Sequence, residues 1–123
     1  MSSEAAFHVG GVDIEVDNRT FGNDGGPAVR VFGDVNGQAV QLLRFDCFKK
    51  NPHYHYDPTG KNELHSLDRQ TVPDPISWTM TQLREHLPDM IRTAGYESIA
   101  ARLDQAAIAT ILPKIETVMR SAP

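Results

Sequence analysis

One cysteine, Cys47, stands among 123 residues. It excludes an internal disulfide and fits a reducing compartment. Positive charge is also scarce: 12 Lys and Arg against 16 Asp and Glu leave a net charge of -4. The only basic pair in the first half is Lys49-Lys50. A surface for the phosphate backbone needs clustered cations, so nucleic acid is not an expected partner. No apolar run approaches the roughly 20 residues of a membrane span, and the first residues lack the apolar core of a signal peptide. The chain reads as cytoplasmic, with no membrane partner.

Catalytic signatures are missing too. There is no Gly-x-Ser-x-Gly elbow and no Cys-x-x-Cys pair. Gly22-Asn23-Asp24-Gly25-Gly26 is glycine-rich, but neither Lys-Ser/Thr nor a helical pattern follows it, so it is not a phosphate loop. No sequence motif fixes a reaction.

What is present is the length and composition of one globular domain, 40% hydrophobic and 23% charged. Disorder is expected only at the ends, Met1–Glu4 and Ser121–Pro123. The pattern predicts an α+β fold over residues 1–123: an antiparallel sheet of two hairpins from residues 5–56, a Pro-containing loop over 57–75, and helices over 76–120. In the first hairpin Gly10-Gly11 supplies a tight turn, with Val12, Ile14 and Val16 on one face. Asp17 to Pro27 reads as a loop. In the second, Asn36-Gly37 is the favoured turn dipeptide. Simple pairing then sets Val31 opposite Leu42 and Val29 opposite Arg44. Val29, Val31, Val40 and Leu42 become the core stripe, and Arg30, Phe32, Gln41, Leu43 and Phe45 the opposite face. That second face is apolar enough to suggest a homodimer through Phe32, Leu43 and Phe45.

From Lys49 to Pro75 the pattern is interrupted by Pro52, Pro58, Pro73 and Pro75, with His53 to Tyr56 as a short edge strand. Asp74-Pro75 has the form of an N-cap and first helical residue, opening a short turn around Ile76 to Trp78. Trp78 is expected to anchor helices to the sheet. Helical spacing from Met80 to Leu87 stops at Pro88, Gly95 closes the following turn, and a helix over Glu97–Leu112 ends before Pro113 starts another.

Phe45-Asp46-Cys47-Phe48, Pro52-His53-Tyr54-His55-Tyr56-Asp57-Pro58 and Asp74-Pro75-Ile76 with Trp78 resemble a small uncharacterised bacterial family, a domain of unknown function. The resemblance covers about half of the chain, residues 45–104. It implies a compact α+β domain and assigns no reaction and no catalytic residue.

The candidate site is the histidine segment. Along an extended chain His53 and His55 share one face and Tyr54 and Tyr56 the other. With His65 they could form a three-histidine metal site, zinc being the natural occupant, with Asp46, Asp57 and Asp68 as carboxylates that orient the imidazoles. The same imidazoles could serve as acid or base toward a small-molecule ligand held by His53, His55, Asp46, Asp57 and Tyr54. A third reading needs no ligand: His and Tyr rings cover apolar surface while their polar atoms bond the backbone. Cys47 is expected to be a small core residue rather than a nucleophile, Arg44–Asp46 an ion pair at the sheet end, and His8–Asp13 a surface pair. Two functions from different classes remain: a self-associating, non-enzymatic binding or interaction domain, and a small metal-binding protein or enzyme using His53, His55 and His65.

Overall fold

A computed structural model describes residues 5–121, and the termini Met1–Glu4 and Ala122–Pro123 lie outside it. Six strands, β1 (Ala5–Val9), β2 (Val12–Phe21), β3 (Asp24–Val35), β4 (Gln38–Asp46), β5 (His53–Tyr56) and β6 (Glu63–Ser66), form one antiparallel sheet in chain order. Four helices follow: α1 (Pro75–Glu85), α2 (Leu87–Thr93), α3 (Glu97–Ala101) and α4 (Gln105–Arg120). The fold is α+β as expected. None of these helices is long and apolar enough to cross a membrane.

Both predicted turns form. Gly10 and Gly11 have positive φ, and so do Asn36 and Gly37 (54° and 83°), the conformation a two-residue hairpin of this kind requires. The stretch from Asp17 to Pro27 is not a loop. Alternation continues through Asp17, Arg19 and Phe21, and a turn at Gly22-Asn23 returns the chain with Arg19 opposite Gly26 and Thr20 opposite Gly25. A run of glycine, asparagine and aspartate looked like a breaker because the strand's outward residues are polar. Likewise, the segment 57–75 contains β6, so β5 is an inner strand and not the edge.

One irregularity decides which side chains share a face. Gly33 faces Val40 and Phe32 faces Gln41, but Val31 faces Leu43, leaving Leu42 as an extra residue in a β-bulge. Every later residue of β4 is thereby turned over relative to simple pairing. Leu43 and Phe45 join Val12, Ile14, Val16, Val29 and Val31 in the core, and Leu42 is buried there as well. Val31 and Leu42 are thus both core residues without being direct partners. The three residues on which a dimer was argued do not share a face: Leu43 and Phe45 lie beneath the helices, and of the three only Phe32, half-buried, remains on the opposite side.

The helices cover that core face. Asp104 caps α4 and donates its backbone N–H to the Gly10 carbonyl at 3.0 Å, holding α4 over the first hairpin. Ile99 of α3 sits over Gly33, where a Cβ would lie 2.7 Å from its Cδ1. Asp74 and Pro75 cap and open α1 as expected, although α1 is one continuous helix, and Trp78 packs on Phe45 and Tyr54. The helix expected over 97–112 is instead broken at Arg102–Asp104, and Pro113 lies inside α4. An Asp N-cap outweighed the apolar repeat that runs through it.

Candidate functional site

On the sheet face opposite the helices, strand pairing sets Asp46 beside His53 and Arg44 beside His55. The bulge at Leu42 is what delivers Arg44 and Asp46 to this face. From β2, the Arg19 guanidinium reaches past the small residues Gly26 and Ala28 of β3 to the same carboxylate. Asp46 is fully buried and holds four neighbours: Arg19 Nη1 donates to Oδ1 at 2.8 Å, and Arg44 Nε to Oδ2 at 3.1 Å. His53 Nε2 lies 2.9 Å and His55 Nε2 3.4 Å from Oδ2.

The partners assign the state of each ring. His53 Nδ1 faces the Asn51 carbonyl at 2.8 Å while Nε2 faces Asp46, so both nitrogens meet acceptors and the imidazolium is favoured. The hydrogen bond to Asp46 outweighs burial and raises the His53 pKa above its ordinary value. His55 is the reverse case. Its Nδ1 bonds Asn62 Oδ1 at 2.8 Å, and Arg44 Nη2 lies 3.0 Å from Nε2, which therefore accepts. Burial, then the Arg44 charge, lower its pKa and keep it neutral. The approach of His55 to Asp46 is thus two acceptors bridged by Arg44, not an ion pair. Burial alone would raise the Asp46 pKa, but the bond to His53 and the two guanidiniums reverse it, holding the carboxyl well below the usual range.

Of the expected site residues, the fold unites His53, His55 and Asp46, and it separates the rest. His65 pairs with Tyr54 across β5 and β6, on the core side of the sheet, where its ring stacks on Tyr54 at 5.1 Å and its Nε2 bonds Glu63 at 2.6 Å. A strand places alternate residues on opposite faces, so His65 cannot join His53 and His55. Tyr54 itself is part of the aromatic layer with Phe45 and Trp78. Asp57 closes the β5–β6 turn, accepting the Lys61 backbone N–H at 2.9 Å and the Tyr96 hydroxyl at 2.5 Å. Asp68 bonds the backbone of Gln70 in a local turn. Cys47 is buried against Thr79 Oγ1 at 3.3 Å, with burial pushing its thiol up to about 12.

Asp46, His53 and His55 offer ligand atoms within 4.8 Å of one another, the proximity a metal ion needs, and both Nδ1 atoms are anchored outward as metal-bound imidazoles usually are. Against this, Arg44 occupies the Nε2 lone pair of His55, and the carboxylate already carries two guanidiniums. A cation would have to displace Arg44 to enter.

Above the cluster lies a hollow of about 280 Å³ lined by Arg19, Phe21, Arg44, Phe48, His53, His55 and Leu64. Phe21 (73% exposed) and Leu64 (55%) are the only large hydrophobic residues that stand exposed among the described residues, and both line it. Sequence reasoning missed Arg19, Phe21 and Leu64. The first two lay in the supposed loop, yet they continue the odd-numbered outward series of β2, a signal that was there to follow.

The chain belongs to a family described as a domain of unknown function, DUF7700, whose model matches residues 6–119. The resemblance of residues 45–104 therefore extends to nearly the whole chain. No curated protein and no solved structure matches it.

Proposed function

We propose that this domain binds a small molecule in the hollow on the open face of its sheet, without transforming it. The observation that carries this reading is the position of Phe21 and Leu64: exposed apolar side chains are usually scattered, and here both border one polar-floored concavity. Acid–base catalysis fits less well, because all four ring nitrogens of His53 and His55 already have protein partners and no lone pair is free for a substrate. The test is a thermal-shift screen of a fragment library against the full chain and the Phe21→Ser/Leu64→Ser double variant. Fragments that stabilise the parent and not the variant support the reading; fragments that stabilise both equally refute it.

A metal centre of Asp46, His53 and His55 is the second reading, favoured by the convergence of their ligand atoms. Titration with zinc followed by calorimetry separates the two. Tight one-to-one binding abolished by His53→Ala would favour the metal.

A further inference from the structure

Two other hollows hold arginine or aspartate side chains already committed within the protein. The cleft of about 530 Å³ between the start of α1 and the end of α4 holds Arg120, committed to Asp74 at 2.9 Å and Glu116 at 2.8 Å, and Arg69, which bonds the Lys49 carbonyl. Beside the β2–β3 turn, Asp24 is satisfied by the backbone N–H groups of Gly25, Lys50 and Asn51. The hollow over Asp46 differs in that its two guanidiniums are mostly buried and keep N–H donors beyond those the network uses.

Resting on the small-molecule reading above, we propose that the ligand is an organic oxyanion: a carboxylate or phosphate head on a short apolar body, the head on Arg19 and Arg44 and the body against Phe21 and Leu64. Two guanidiniums meet a single carboxylate, so the floor keeps one positive charge even with both imidazoles neutral. Asp46 is fully buried beneath them, where it orients the guanidiniums but offers no free face to a cationic ligand. The network engages one Nη of Arg19 and the Nε and one Nη of Arg44, out of five N–H donors on each. The planar guanidinium matches two-oxygen heads in both carboxylates and phosphates, and charge-assisted bonds of this kind are the stronger ones. Both arginines are mostly buried, at 27% and 18% exposed, so their charges are screened less than free surface charges. The size of the hollow, below the usual range for drug-sized ligands, admits a head and a few carbons or one ring.

The experiment is isothermal titration of the full chain with hexanoate, hexyl phosphate, hexylammonium and hexanol. The anions are expected to bind at least about tenfold tighter than the amine and the alcohol, the worth of one hydrogen bond to a charged group. The tighter of the two anions identifies the head. Arg19→Gln should cost the anion about tenfold and narrow its advantage over hexanol, and Arg19→Lys should recover part of the loss. Phe21→Ser, a change at an exposed site outside the ion network, should bring hexanoate down toward acetate. If amine or alcohol binds as well as the anions, the oxyanion inference fails while small-molecule binding stands. If none of the four binds, both fail.

Discussion

His53 Nε2 and Asp46 Oδ2 lie 2.9 Å apart across adjacent strands, one ring at the surface of the hollow and one carboxylate wholly beneath it. The pair ties β5 to β4 and presents two arginines outward. Its protonation is open to direct measurement.

The two imidazoles should titrate on opposite sides of the ordinary value of about 6.5. His53 is expected above it, because Asp46 stabilises its charged form, and His55 below it, because burial and Arg44 oppose charge. Nitrogen-edited NMR of the rings across the pH range checks this. Linkage gives the stability consequence: a raised folded pKa contributes fully below the unfolded value and is lost as pH rises through the folded one. His53→Ala should therefore cost more stability near pH 6 than near pH 8, measured by urea unfolding.

Asp46→Ala should destabilise the fold by about 2 kcal/mol, since it strands the donors of Arg19, Arg44 and His53 without an acceptor. The cost should fall short of the 3–5 kcal/mol or so of a sealed ion pair, because the arginines still reach water. The Asp46 contribution is present above the unfolded carboxylate pKa of about 3.9 and is lost as pH falls through its depressed folded value. Urea unfolding of parent and variant, in the neutral and the acid range, measures both.

Gly33→Val should lose about 1–3 kcal/mol through overpacking, as a Cβ there would sit 2.7 Å from Ile99 Cδ1 and 2.9 Å from Leu42 Cδ1. Denaturant midpoints of the pair give the number.

Cys47 should resist alkylation in the native protein and react readily once unfolded, since it is buried with its thiol raised to about 12. Timed iodoacetamide labelling read by mass spectrometry settles it.

The sheet, both glycine turns and the Asp74-Pro75 helix start were legible because each has a local cause in one or two residues. The bulge at Leu42 was not, since nothing in Gln41-Leu42-Leu43 marks which leucine is the extra one. That single residue inverts Arg44, Phe45 and Asp46, so the predicted dimer face and the true polar face were exchanged. His53 and His55 were correctly placed together by alternation. Alternation also separates His65 from them, but its register depends on the β5–β6 turn at Asp57–Asn62, where two non-glycine residues take positive φ (50° and 52°) with no sequence signal as strong as Asn-Gly. Arg19 was lost with the strand that carries it.

The most direct test of the binding site is amide chemical-shift mapping of the full chain with hexanoate. Perturbations are expected to centre on Arg19, Phe21, Arg44, His53, His55 and Leu64. Perturbations centred instead on Asp74, Ile76, Met119 and Arg120, the lining of the larger cleft, would contradict it.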